Sequence, residues 1–177
     1  MKPEIISTEE VYQGNVFKVL RAELKDGDLE YRRDIITHNG SAVIVPVFDN
    51  HEIALVRQYR HPAGKYLIEL PAGTIDRGES PEEAALREVE EEIGYKAAAL
   101  EKLTEFYVSP GFLTEKMHVF LATGLTKSRQ NLDDDEILSI ENLTFEEAYE
   151  KILSGEIEDA KTINGLLLAG KRFGIGF

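Results

Sequence analysis

Residues 80–94 read SPEEAALREVEEEIG, a stretch that carries its own start and stop signals. Ser80 is an N-cap residue, Pro81 suits the first helical position, where its missing N–H loses no partner, and Glu83 completes a capping box with Ser80. Gly94 ends the run. On a wheel of about 100° per residue with Glu88 at zero, Ala85, Leu86, Val89 and Ile93 fall between about 60° and 160°. Glu88, Glu91 and Glu92 fall between about −60° and 40° on the same wheel. The spacing predicts a helix with one packed face and, adjacent to it, a face of three carboxylates. Glutamates at i, i+3 and i+4 repel one another in water, so the grouping costs stability unless something positive sits among them. Hard oxygen donors at that spacing suit Mg²⁺ or Mn²⁺, which take few carboxylates and leave positions for water and phosphate oxygens. A solvated acidic helix face is the competing explanation in a chain this acidic.

Upstream of the helix the pattern changes to period two. Residues 15–37 hold two β-rich runs around Asp26-Gly27-Asp28, which predicts a hairpin. Residues 41–48 and 52–59 are apolar on both faces and are separated by Asp49-Asn50-His51, which predicts a second hairpin, central in a covered sheet. His38-Asn39-Gly40 between the two hairpins marks a boundary, giving an N-terminal β subdomain over 1–40 and a main domain over 41–177. Downstream, strands are predicted at about 97–107, 116–123 and 137–143. An acidic loop lies at 131–136, and two helices, from Thr144 to about Leu153 and from Asp159 to about Lys171, close the chain. Interleaved strands and helices without an internal repeat give an α/β class.

The composition limits what such a fold is for. The 177 residues are 42% hydrophobic and 30% charged, the balance of a globular domain of ordinary size. Twenty Lys and Arg against 33 Asp and Glu leave a formal charge of −13, which repels nucleic acid and acidic lipid. A phosphate-bearing substrate then needs a bound cation or a local arginine cluster. There is no cysteine, so disulfides, zinc-thiolate sites and thiol nucleophiles are excluded. With no apolar leader and no run approaching a membrane span, the reading is cytoplasmic, with neither a membrane nor a nucleic acid as partner.

The loop before the helix extends the pattern. Gly73, five residues, Glu79, seven residues, then Arg87-Glu88-Val89-Glu90-Glu91-Glu92-Ile93-Gly94-Tyr95 resembles the Nudix box of the Nudix hydrolases. Every fixed Gly, Glu and Arg of that pattern is present; Tyr95 alone departs, at a packing position. Val56-Arg57-Gln58-Tyr59-Arg60, Glu69-Leu70-Pro71-Ala72-Gly73 and residues 109–115, with Pro110 fifteen residues after Tyr95, look like the branch that cleaves ADP-ribose and other nucleoside diphosphate sugars. The resemblance implies a Nudix-type α/β/α sandwich with a mixed sheet, plus a small N-terminal antiparallel β subdomain.

The same resemblance implies roles by position. The Ala72 carbonyl, Glu88 and Glu92 match metal ligands for Mg²⁺ or Mn²⁺, with Glu91 a shared or additional ligand and Glu69, also counted among the substrate-binding residues, just behind them. Arg87, whose neighbours Glu79 and Glu91 are possible partners, matches the residue that holds the carboxylates in place. Glu136 matches the general base of the acidic loop, with Asp134, Asp135 and Glu115 as alternatives; Glu115 is also counted among the substrate-binding residues. Arg60 supplies charge for the substrate's phosphate or terminal ribose. In the resembling enzymes the N-terminal subdomain exchanges across a homodimer and forms the base pocket, where Phe17, Tyr31, Arg32 and Arg33 stand in the matching stretch. Asn39 replaces a commoner Pro there. The expected activity is hydrolysis of ADP-ribose to AMP and ribose 5-phosphate. GDP-mannose or ADP-glucose is the alternative substrate, and a non-catalytic nucleotide sensor or a purely structural protein the alternative class.

Overall fold

The computed structural model describes residues 2–132 and 136–175. They divide into two compact units: residues up to Gly40 with Phe106–Met117, and Ser41–Glu105 with the chain from His118 onward. The first contains an antiparallel sheet of β1 (Glu4–Gln13), β2 (Lys18–Asp26) and β3 (Leu29–Thr37) in that order. The expected hairpin is its β2–β3 half: Asp26 faces Leu29 across a two-residue turn in which Gly27 adopts φ 61°. β1 was not among the expected strands. Every one of its residues is exposed and its register slips at Ile5/Ser7 and Glu10/Tyr12, so it has no buried face to impose an alternating pattern. The segment from Phe106 joins this unit through β3. The Ile36 amide donates to Phe112 O at 2.7 Å, and the Thr114 amide donates to Ile36 O at 2.9 Å.

In the second unit β4 (Ser41–Pro46) and β5 (Ile53–Arg60) occupy the middles of two different sheets. β4 lies between β7 (Ala72–Thr74) and β10 (Lys116–Thr123), with β9 (Ala99–Tyr107) beyond β10. β5 lies between β6 (Lys65–Glu69) and β12 (Leu138–Leu143), while β8 (Tyr95–Lys96) pairs with β11 (Thr126–Lys127). The second hairpin expected from the sequence is therefore not formed. A single bridge, Val47 to Ile53, links the ends of β4 and β5, and the turn through His51, at φ 67°, carries the chain from one sheet to the other. Both strands are apolar on both faces for the expected reason, burial on two sides, but neither is the other's ladder partner: β5 pairs with the next strand, β6, and with the distant β12, and β4 with β7 and β10.

Three helices supply the covers: α1 (Pro81–Ile93), α2 (Phe145–Leu153) and α3 (Ala160–Arg172). Ala42 and Ile44 of β4 share a buried cluster with Ala84, Ala85, Val89 and Ile93 of α1. On the other face α3 comes so close that a Cβ at Gly165 would lie 2.4 Å from Leu70 Cδ1 and 3.2 Å from Val45 Cγ2. A strand covered by a helix on each face is the middle layer of an α/β/α sandwich.

Helix α1 starts and stops where its sequence signals place it. Ser80 Oγ accepts from the Glu83 amide at 3.2 Å, the Glu83 carboxylate accepts from the Ser80 amide at 2.8 Å, and Gly94 closes the helix at φ 73°. Its rotation differs from the expected one. The buried residues are Ala84, Ala85, Glu88, Val89, Glu92 and Ile93, whereas Leu86 is 43% exposed. On the wheel that buried arc runs from about −40° to 140°, so two carboxylates lie inside the packed face and Leu86, at about 160°, falls just outside it.

Candidate metal and phosphate site

Burying two carboxylates on a helix has to be compensated, and the surroundings show how. Glu92 is 2% exposed and its Oε2 accepts from the Ala72 amide of β7 at 3.1 Å. Glu88 is 8% exposed and lies against Gly73, where an added Cβ would sit 1.8 Å from Glu88 Oε1. Gly73 thus belongs to a strand, and what its missing side chain admits is a carboxylate. Burial pushes the Glu88 carboxyl up to about 7, against the pull of Arg87, with Glu91 and Glu136 adding repulsion. Burial also pushes Glu92 up to about 9, and the charges of Glu88 and Glu136 push in the same direction. These are carboxylates short of positive charge.

Arg87 supplies part of it. Its Nη1 donates to Glu88 Oε1 at 2.6 Å and to Glu91 Oε2 at 2.9 Å, its Nε donates to Glu79 Oε1 at 2.9 Å, and its Nη2 donates to Thr74 O and Glu79 Oε2 at 3.1 Å. Both partners expected for Arg87 are present, and Glu88 and the β7 carbonyl are additional. The fork geometry of a guanidinium suits this task, because one group fixes three carboxylates relative to the strand.

A cleft of about 340 Å³ opens beside these groups, lined by Ala72, Gly73, Thr74, Asp76, Arg87, Glu88, Glu91, Asn131 and Glu136. Asn131 and Asp76 were not among the expected residues. Asn131 arrives because the segment before it is strapped to the end of α1: the Ser128 amide donates to Gly94 O at 2.7 Å, Gln130 Nε2 donates to Glu92 O at 2.6 Å, and the Asn131 amide donates to Glu91 O at 3.0 Å. Gln58 of β5 reaches Glu136 from below, its Nε2 3.5 Å from Glu136 Oε1. Asp134 and Asp135, the alternatives to Glu136, lie outside the described residues.

Among the described residues no three His, Asp or Glu side chains converge tightly enough to hold a metal ion as they stand. Arg87 takes one oxygen each of Glu88 and Glu91, and the Ala72 amide takes one of Glu92. The donor set still fits a hard divalent cation. It offers acidic oxygens on one helix face beside an open cleft, with two of the carboxyls destabilised in their ionised form by burial.

The remaining expected residues fall into two groups. Arg60, at the end of β5, donates to Glu69 in bidentate fashion, Nε to Oε1 and Nη2 to Oε2 at 2.8 Å each. Glu69 is 1% exposed and also accepts from Lys161 of α3. Glu115, Phe17, Tyr31, Arg32 and Arg33 belong to the first unit. Glu115 Oε1 is 3.9 Å from His38 Nδ1, Phe17 packs on Tyr12, Arg33 lies 4.6 Å over the Tyr31 ring, and Arg32 pairs with Glu23.

Comparison with known proteins places this geometry in a family. The NUDIX domain model matches residues 38–166. The chain is 40% identical to the ADP-ribose pyrophosphatase of Bacillus subtilis (strain 168) over 166 residues, covering 92% of this chain and 89% of that protein. It is 39% identical to the methanol dehydrogenase activator of Bacillus methanolicus over 162 residues, 89% and 87% of the two chains. It is 39% identical to the GDP-mannose pyrophosphatase of Cronobacter sakazakii (strain ATCC BAA-894) over 152 residues, 78% of each. A solved structure described as an ADP compounds hydrolase superposes with a TM-score of 0.84 at 26% identity, over 99% of this chain and 98% of that one. The chain belongs to the Nudix family. Hydrolases of this family generally use divalent metal ions.

Proposed function

We propose that the protein hydrolyses the diphosphate bond of ADP-ribose, giving AMP and ribose 5-phosphate. The observation that carries the reading is the buried carboxylate of Glu88 at the wall of a polar cleft that also presents Glu91 and Glu136, with a second buried carboxylate, Glu92, one turn further along α1. Similarity to an ADP-ribose pyrophosphatase at 40% identity supports ADP-ribose as the substrate.

Ala72 through its carbonyl, with Glu88, Glu91 and Glu92, would hold Mg²⁺ or Mn²⁺, which when bound neutralises diphosphate charge and lowers the pKa of water. Arg87 keeps the carboxylates oriented. Arg60 directs positive charge at the phosphates or terminal ribose. Glu136 takes a proton from the attacking water as its oxygen bonds to one phosphorus and the bridging P–O bond breaks, the leaving phosphate carrying the electron pair. Intact Glu88, Glu91 and Glu92 favour an enzyme over a non-catalytic sensor.

The working unit on this reading is a cytoplasmic homodimer in which the N-terminal sheet of one protomer serves the site of its partner, Phe17, Tyr31, Arg32 and Arg33 forming the base pocket and Glu115 acting beside the phosphates. The exposure of Ile5, Ile6, Val16 and Leu29, each more than half open in the single chain, supports it. Among the described residues no helix is long and apolar enough to cross a membrane. A hydrolase of another nucleoside diphosphate sugar is the second reading, favoured by the similarity to a GDP-mannose pyrophosphatase.

Incubating the protein with ADP-ribose, GDP-mannose and ADP-glucose, with Mg²⁺ or Mn²⁺, and following AMP and GMP decides between them. AMP release from ADP-ribose with the highest kcat/KM is expected; preferential GMP release selects the second reading, and no turnover of any of the three removes both. Light scattering is expected to give a dimer, and a fully active monomer at assay dilution would remove the shared pocket.

A further inference from the structure

Outside the cleft the most completely built polar cluster lies where β5, β6 and the start of α3 meet. Its members are Arg60, Glu69, Asp159, Lys161 and Thr162. Glu69 is 1% exposed and accepts from two cations, Arg60 through two bonds of 2.8 Å and Lys161 at the same Oε2. Lys161 Nζ also donates to Asp159 Oδ2 at 3.0 Å. Asp159 is the N-cap of α3, and the same Oδ2 accepts from Thr162 N at 3.0 Å and from its hydroxyl at 2.6 Å. Thr162 Oγ1 accepts from the Leu70 amide at 2.8 Å. Two consecutive residues of α3 therefore hold two consecutive residues of the chain leaving β6, one by its side chain and the next by its backbone.

This arrangement has an electrostatic consequence for Arg60. A guanidinium bound to a carboxylate of its own is a neutral pair, with little attraction for a diphosphate. Lys161 takes a share of the Glu69 charge, and Asp159 Oδ2 accepts from Lys161 and from the Thr162 amide and hydroxyl, so two cations balance two carboxylates and Glu69 is held from both sides. Arg60 ends β5, the strand whose Gln58 reaches Glu136 at the cleft. The bidentate bond leaves Nη1 uncommitted to Glu69 and aims the guanidinium in one direction.

We infer that Lys161 is a positioning residue for the reaction: by anchoring Glu69 and sharing its charge, it keeps the Arg60 guanidinium fixed in direction toward the substrate diphosphate. The inference rests on the reading of Arg60 as a substrate-binding residue. A Lys161 that only neutralises a buried charge would affect melting and nothing else. The two roles separate in steady-state kinetics with ADP-ribose, or whichever of the three nucleotide sugars is turned over best, on R60A, K161M and the double variant, each checked for folding by circular dichroism.

K161M is expected to raise KM about tenfold with kcat within about threefold, R60A to raise KM at least as much, and K161M to add less than about twofold once Arg60 is gone. An unchanged KM in folded K161M, with KM raised in R60A, overturns the inference and leaves the reading of Arg60 standing. Effects that multiply in the double variant also overturn it, because Lys161 then acts by another route. An unchanged KM in R60A overturns the reading of Arg60 and the inference with it. If K161M does not fold, K161Q, which keeps a donor for Glu69 without the charge, is read in the same way.

Discussion

Helix α1 has two sides, and the same residue type does opposite things on them. On the outside, Glu83 accepts from the Ser80 amide and hydroxyl and Glu90 from the Ser128 hydroxyl and Lys96; both carboxyls are held below the usual carboxylate range by these bonds. Inside, Glu88 and Glu92 are held above it by burial, to about 7 and about 9. The outer glutamates strengthen the helix as charges, whereas the inner ones weaken the fold when charged. On the proposed function, a bound cation offsets that cost.

The contrast sharpens most under substitution. Glu92→Gln keeps the side-chain volume and removes an ionised donor, so kcat should fall about 10³-fold or more with circular dichroism unchanged. Near-wild-type turnover at saturating Mg²⁺ would make Glu92 merely a buried acid. Glu136→Gln tests another carboxylate lining the cleft: kcat should fall by about 10²–10⁴ with KM little changed, and an unchanged kcat would transfer the role of base to Asp134, Asp135 or Glu115. Gly73→Ala puts a methyl where Glu88 Oε1 lies 1.8 Å from the ideal Cβ. The carboxylate has to move by about an ångström, which should lower kcat/KM about 10²-fold. On the outer side Ser80→Ala should lower unfolding free energy by about 1 kcal/mol in a urea titration and leave kcat within twofold, since its partner Glu83 touches nothing in the cleft.

How much of this was legible depended on how local the cause was. The ends of α1, its capping box, the pairing of Arg87 with Glu79 and Glu91, and the Gly27 turn are decided within a few residues and could be read directly. The partners of β4 and β5 could not. Both strands carry the two-sided apolar pattern of central strands, but that pattern says nothing about which strand lies alongside, and the short turn at Asp49 suggested each other. The rotation of α1 differs because its apolar residues alone do not define the buried arc; the missing side chain at Gly73 makes room for Glu88 inside it. Asn131 was missed because a Gln-Asn-Leu stretch has no pattern of its own, and its place follows from the strap onto the end of α1. Lys161 was missed because a lysine in a first helical turn normally reads as solvated, and its partner Glu69 is 92 residues away in sequence.

On the proposed function Glu88 and Glu92 form a buried pair that a cation stabilises, and melting against pH in the metal-free protein measures it. Below about pH 4.5, the ordinary value for a glutamate, both carboxyls are protonated in the folded and the unfolded chain, and their contribution to stability is fully present. Above that, the unfolded chain ionises them, while the folded chain holds the proton on Glu88 to about 7 and on Glu92 to about 9. The folded state binds more protons across that window, so this contribution is lost as pH rises through it. The prediction is a Tm in EDTA that falls between pH 5.5 and pH 8.5, a fall reduced by saturating Mg²⁺ and reduced likewise in Glu92→Gln without metal. A metal-free Tm with the same pH dependence in wild type and Glu92→Gln, unmoved by Mg²⁺, would contradict the account.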